Sequence, residues 1–100
     1  MSKPRRYRAS WNGAVLAESD DVAIVEGSVY FPTESLSADH VQPARGHSLC
    51  FWKGIASYYD VVVDGVTNPG AAWSYPHPTP LARRVKGRVA FWQGVTVEPT

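Results

Sequence analysis

The segment Ser57-Tyr58-Tyr59-Asp60-Val61-Val62-Val63, followed by Asp64-Gly65, decides the fold class of this chain. Its aromatic and β-branched residues favour a strand. Asp-Gly is typical of two-residue type I′ hairpin turns, in which both turn residues take positive φ. The segment therefore predicts one half of an antiparallel pair, and Asn12-Gly13 predicts another hairpin between strands at residues 6–11 and 14–17.

Short segments of strand composition, separated by frequent turn signals, continue along the chain. They cover residues 22–26, 29–31, 72–75, 86–92 and 95–97. Since no amphipathic helical pattern is longer than two turns, we expect a mainly β protein: a single small antiparallel β domain spanning residues 1–100.

The segments between these strands predict loops and one or two short helical turns. Residues 37–46 contain Pro43 and Gly46, have no periodicity and predict a loop, and Asn68-Pro69-Gly70 predicts a turn. Residues 33–36 predict a helical turn capped by Thr33 or Ser35, and residues 81–84 predict another.

Length and composition exclude several classes of protein. A chain of 100 residues with 44% hydrophobic and 19% charged residues supports one globular domain. No apolar stretch approaches the ~20 residues of a membrane helix, and no apolar run follows the basic start as in a secretory signal.

The single cysteine, Cys50, permits no intrachain disulfide, so we expect a cytoplasmic protein. His40, His47 and His77 are scattered, which predicts no zinc site.

The net charge is +1, but the basic residues concentrate at the two ends of the chain. They are Lys3, Arg5, Arg6 and Arg8 at one end and Arg83, Arg84, Lys86 and Arg88 at the other. If the ends lie on neighbouring strands, they form one basic face that suits phosphate or nucleic acid. The alternative is that they protect exposed strand edges against aggregation.

The segment from Cys50 to Tyr59 carries the densest collection of chemically useful side chains. Lys53 lies there among Phe51, Trp52, Tyr58 and Tyr59, so its amine either reaches water or pairs with an anion. The anion is a carboxylate or phosphate of a ligand in one interpretation, and Glu26 or Asp60 in the other.

A set of aromatic residues predicts a ligand pocket around Lys53, because tyrosine and tryptophan combine a large apolar body with a polar group. In the alternative interpretation the rings fill a small core. Tyr58 and Tyr59 point to opposite faces if they are in a strand, so only one of them joins a given pocket. The predicted pocket consists of Tyr30, Trp52, Lys53, Tyr58, Trp73 and Tyr75.

Cys50 is a candidate catalytic nucleophile. A nearby ammonium such as that of Lys53 lowers the pKa of a thiol and makes it nucleophilic, and His47 is a candidate base. The alternative is that Cys50 is a small buried apolar residue, which is the usual role of a free cysteine.

Several motifs resemble the bacterial family known as domain of unknown function 427. They are Trp11-Asn12-Gly13, Ala17-x-Ser19, Tyr30-Phe31-Pro32, Cys50 to Tyr59, Trp73-Ser74-Tyr75-Pro76-x-Pro78 and Gly87 to Trp92. Phe51, Trp52 and Trp92 replace the proline and two tyrosines usual in that family. The resemblance implies a small β domain, either tent-like or made of two packed sheets.

The family is sometimes labelled nucleotidyltransferase-like, but the residues give that label no support. Such an enzyme needs paired carboxylates for two metal ions and a glycine-rich phosphate loop. Asp20-Asp21 is the only adjacent acidic pair, and it suits a turn better.

We therefore expect a domain that binds a small molecule, with or without an enzymatic activity. The rings stack on the ligand and Lys53 anchors its anionic group. The alternative is a module that binds nucleic acid or a protein partner through the basic ends. The cofactor is not predicted, no membrane association is expected, and both a monomer and a small homo-oligomer fit.

Overall fold

The computed structural model describes residues 6–50 and 52–100. Lys3, Arg5 and Phe51, all named above, lie outside the described residues. Within these residues the chain forms nine strands and two short 3-10 segments. Their bounds are β1 Tyr7–Trp11, β2 Ala14–Ser19, β3 Ala23–Val25, β4 Ser28–Pro32, η1 Thr33–Ser35, β5 Val41–Cys50, β6 Gly54–Val63, β7 Val66–Ser74, η2 Pro80–Val85, β8 Arg88–Phe91 and β9 Thr96–Pro99.

The strands form two antiparallel sheets, which confirms the mainly β prediction. The smaller sheet has the order β2-β1-β9 and the larger has the order β3-β4-β8-β7-β6-β5. Every strand pair in both sheets is antiparallel. In the described part of the chain, no helix is both long and apolar enough to cross a bilayer.

The larger sheet has two different faces because side chains alternate along its strands. Phe31, Val89 and Phe91 belong to a core that also includes Leu16 of the smaller sheet. Their neighbours face the other way and form a second cluster with η2; it contains Ala23, Tyr30, Ala56, Tyr75, Ala82, Val85 and Ala90. The face with the second cluster is the one that carries the candidate site.

Both predicted glycine hairpins are present. Asn12 has φ 51° and Gly13 φ 81°, and Asp64 has φ 51° and Gly65 φ 76°, as type I′ turns require. The predicted helical turns also form, as η1 and η2. The predicted cap of η1 is wrong: Pro32 occupies that position without a side-chain cap, and the Ser35 hydroxyl donates to the Pro32 carbonyl at 2.7 Å.

The predicted loop at 37–46 is wrong over its second half, where β5 begins at Val41. This edge strand is exposed along most of its length, so burial imposes no periodicity on its sequence. A register irregularity between Pro43 and His47 accommodates the proline and Gly46, which has φ 108°.

The predicted turn at Asn68-Pro69-Gly70 is also wrong, since it lies inside β7. The β6–β7 register shifts between Tyr59 and Val61, and Gly70 takes a positive φ of 64°. The Gly70 amide donates to Asp60 Oδ1 at 2.8 Å. The turn residues therefore form a β-bulge within a continuous strand.

Strands β1 and β8, which carry Arg8 and Arg88, are not neighbours, because they belong to different sheets. Several of the basic residues at the two ends bind carboxylates instead. Glu18 lies 2.7 Å from Arg6 Nε and 2.9 Å from Arg8 Nε. Arg88 Nη2 lies 3.2 Å from Asp21 Oδ1.

The turn between β5 and β6 is held against the loop that precedes η2. The Thr79 amide donates to the Lys53 carbonyl at 3.0 Å, and the Thr79 hydroxyl donates to the Trp52 carbonyl. Gly54 has φ 116°, and a Cβ there would lie 3.1 Å from the His77 carbonyl oxygen. The glycine thus allows the close approach that fixes Lys53 in place.

Substituting Gly54→Ala should destabilise the protein by about 3 kcal/mol, since it adds a close backbone contact to an unfavourable φ. Gly65→Ala is the matched control: φ is also positive, but no atom lies within 4 Å of the added Cβ, so a loss of about 1 kcal/mol is expected. Urea unfolding measures both. Equal losses would show that the approach to His77 is not tight.

Candidate functional site

The candidate site lies on the face of the larger sheet that η2 covers in part. Alternation along β6 sends Ala56 and Tyr58 to this face, whereas Tyr59 packs against the core shared by the two sheets. Trp73 and Tyr75, two residues apart, also point to this face. The expectation that Tyr58 and Tyr59 point in opposite directions is therefore met.

These side chains line an open cavity, which we call the ring cavity. Its volume is about 200 Å³. Its walls are Ser48, Lys53, Ala56, Tyr58, Trp73, Tyr75 and Trp92.

Lys53 is the charged residue in this wall. Its side chain is buried, with the residue only 8% exposed. Its Nζ lies 2.5 Å from Glu26 Oε1, 5.4 Å from the centre of the Trp52 ring and 5.3 Å from that of Tyr75. The ammonium is thus held by one carboxylate and the faces of two rings.

Glu26 reaches Lys53 from the tight turn between β3 and β4. It has φ 53° and precedes Gly27 at φ 79°. Glutamate is uncommon at positive φ, where Asn, Asp and Gly are preferred. Its side chain is 54% exposed, so the ion pair connects a buried ammonium to a carboxylate at the protein surface.

The ion pair changes the pKa of both partners. Burial acts to lower the pKa of Lys53. The hydrogen bond to Glu26 and the electrostatic interactions with Tyr30, Tyr75 and Glu26 outweigh burial and raise that pKa above its usual value. The hydrogen bond from Lys53 lowers the pKa of Glu26. Burial raises the pKa of Tyr75. Lys53 is therefore an ammonium and Tyr75 a neutral phenol at neutral pH.

The aromatic side of the ring cavity is a chain of edge-to-face contacts. The ring centres of Trp73 and Trp92 are 5.3 Å apart, and those of Trp73 and Tyr30 are 6.2 Å apart. Trp73 Nε1 donates to the Tyr30 hydroxyl at 3.3 Å, and Trp92 Nε1 donates to the Gly70 carbonyl at 2.6 Å. These bonds fix the orientation of both indoles.

A pair of hydroxyls lies at the rim of the ring cavity. Tyr58 Oη and Ser48 Oγ are 2.7 Å apart. Both residues line the cavity, and each hydroxyl can donate or accept a further hydrogen bond. The rim thus offers polar contacts to a bound molecule.

The structure brings four of the six predicted pocket residues to one cavity: Lys53, Tyr58, Trp73 and Tyr75. Tyr30 is fully buried behind Trp73. Trp52 contributes its ring to Lys53 but does not line the cavity. Whether these residues bind a ligand stays a prediction.

Sequence reasoning missed Trp92 and Ser48 as wall residues. Trp92 follows Ala90 by two positions, so the alternation of β8 could have placed it on this face. Ser48 lies in the unpredicted strand β5 and gave no such signal. Of the two carboxylates proposed as partners of Lys53, Glu26 forms the ion pair, whereas Asp60 accepts the Gly70 amide.

Cys50 is partly buried beside the second cluster. Hydrogen bonds from the backbone amides of Trp52 and Lys53 lower its pKa. His47, the candidate base, is exposed and lines a separate cavity of about 510 Å³ with Ser57 and His77. Ser57 faces away from the ring cavity, so the structure does not bring His47 to the ring cavity.

In the described part of the chain, no group of three or more His, Cys, Asp or Glu side chains lies close enough together to hold a metal ion.

The ion pair predicts a pH-dependent stability difference between the wild type and Glu26→Gln. Because folding lowers the pKa of Glu26, its contribution is present above the ordinary glutamate pKa of about 4.3 and is lost as pH falls through the lower, folded value. The wild type should have the higher Tm at pH 7, and the two should converge in acid.

Glu34→Gln, at an exposed position in η1, controls for the loss of one negative charge. A difference between wild type and Glu26→Gln that stays constant down to pH 2 would contradict the ion pair.

The lowered pKa predicts that Cys50 reacts with iodoacetamide at a lower pH in the folded than in the unfolded protein. The midpoint of the rate against pH should lie below the ~8.5 of an ordinary thiol. The same protein in urea is the control. Identical midpoints would mean that the amides of Trp52 and Lys53 do not stabilise the thiolate.

In a comparison with protein-family models, the model described as a domain of unknown function, DUF427, matches residues 1–99. No curated protein matches the chain.

Proposed function

This chain belongs to the DUF427 family, and we propose that it binds a small aromatic or heteroaromatic acid in the ring cavity. The observation that carries the proposal is Lys53, a residue only 8% exposed, in a cavity wall otherwise made largely of rings. A cation in such surroundings favours an anionic group at one end of a flat apolar molecule.

The size of the cavity limits the ligand to about one ring. A cavity of about 150 Å³ in another protein binds benzene. The ring cavity, at about 200 Å³, has room for a six-membered ring with a carboxylate, and is smaller than the ~300 Å³ at which pockets for larger ligands begin.

Glu26 does not prevent Lys53 from binding an anion. An ammonium has three N–H donors, and the ion pair with Glu26 occupies one of them. Because the Glu26 side chain is 54% exposed, its carboxylate can move into water when a ligand carboxylate takes its place. Glu26 thus balances the charge of Lys53 when the site is empty.

The basic ends give less support to a nucleic-acid module. Arg6 and Arg8 share the carboxylate of Glu18, and Arg88 binds that of Asp21, which reduces the charge that phosphates would meet. We therefore propose the small-molecule function. A cytoplasmic location is part of this proposal, because a single cysteine needs no oxidising compartment.

The test compares acids with their amides, which have nearly the same shape without the charge. Benzoate and nicotinate are screened beside benzamide and nicotinamide by thermal shift, and binders are measured by calorimetry. At least one acid should bind, about tenfold or more tighter than its amide, because it gains a charge-assisted hydrogen bond.

Two substitutions should move the affinity for the acid in opposite directions. Lys53→Met removes the charge and should weaken binding about tenfold or more. Glu26→Gln removes the competing carboxylate and should strengthen binding about threefold. Leu81→Ala, at a side chain 82% exposed on η2, is the control and should have no effect.

The proposal fails if no acid binds better than its amide, or if Lys53→Met binds the acid as the wild type does. Weaker binding by Glu26→Gln would show that the two residues act together on a different kind of ligand.

A further inference from the structure

Another cavity, distinct from the one that His47 lines, lies next to the ring cavity. Its volume is about 350 Å³, and we call it the arginine cavity. Its walls are Arg45, Tyr58, Asp60, Pro69, Gly70, Trp92 and Gln93. Tyr58 and Trp92 line both cavities, so the two meet at these side chains.

The arginine cavity is built at two irregularities of the larger sheet. Arg45 lies within the register break of β5 between Pro43 and His47, and Asp60 within that of β6 between Tyr59 and Val61. Such bulges redirect side chains and are over-represented beside functional sites. The two register breaks therefore both contribute a side chain to the arginine cavity.

The ring cavity and the arginine cavity together form a groove, and the cations at its two ends differ. Lys53 lies at the ring-cavity end, where Glu26 balances the charge of the ammonium. Arg45 lies at the other end and forms no salt bridge with any described residue. Asp60 also lines the arginine cavity; its Oδ1 accepts a hydrogen bond from the Gly70 amide, which holds the carboxylate in place without removing its charge.

We infer that the two cavities form one site for a ring acid with a flexible tail that ends in a phosphate. This inference rests on the proposed function. The ring and its carboxylate occupy the ring cavity, the tail crosses between Tyr58 and Trp92, and the phosphate binds Arg45. A guanidinium offers paired N–H donors that match two phosphate oxygens, and the Gln93 amide can donate a further bond.

The experiment uses three probes that share one ring and one carboxylate. They are benzoate, 4-(3-hydroxypropyl)benzoate and the phosphate monoester of the latter. Calorimetry at low salt gives the affinity of each for the wild type, Arg45→Gln and Lys53→Met. Arg83→Gln, at an exposed arginine of η2, is the matched control.

The phosphate ester should bind about tenfold tighter than the alcohol, and the gain should shrink as salt is added. Arg45→Gln should abolish the gain and leave benzoate unaffected, whereas Arg83→Gln should change neither. Lys53→Met should weaken all three probes.

Two results would overturn the inference while the proposed function stands: a phosphate ester no tighter than the alcohol, or a gain that survives in Arg45→Gln. No binding by all three probes would also overturn it, whichever acid binds in the earlier screen. If the ester binds through Arg45 but Lys53→Met has no effect, the proposed function fails, and with it the combined site.

Discussion

The candidate site depends on the removal of one ammonium, that of Lys53, from water. Burying a charge is costly unless partners replace its hydration, and here Glu26 and the rings of Trp52 and Tyr75 supply them. Each partner comes from a different segment, so the ammonium ties the turn at 26–27 and residues 52–53 to Tyr75, just after the end of β7. A buried lysine whose ammonium is held by three partners is a candidate functional residue.

The second constraint is the alternation of side chains along the larger sheet. One face takes Phe31 and Phe91 into the core shared with the smaller sheet. The other takes Trp73 and Tyr75 toward the ring cavity. The fold therefore contains both a packed aromatic core and an aromatic cavity, because the larger sheet directs rings to each of its two faces.

Local signals in the sequence predicted local structure. Asn12-Gly13 and Asp64-Gly65 gave correct hairpins, since a type I′ turn is determined by its two residues. Strand β5 was missed because backbone pairing with β6, and not burial, holds it. The aromatic residues indicated the site, but a strand's partner across the sheet has no local signature, so Ser48 and the choice of Glu26 over Asp60 emerged only from the structure.

Nitrogen NMR of the lysine side chains tests the central claim most directly, since the chain has only three lysines. Adding benzoate, but not benzamide, should shift the Nζ resonance of Lys53 together with the indole resonances of Trp73 and Trp92, and leave Lys86 unchanged. A Lys53 resonance that resembles that of exposed Lys86, and that benzoate does not move, would contradict the account.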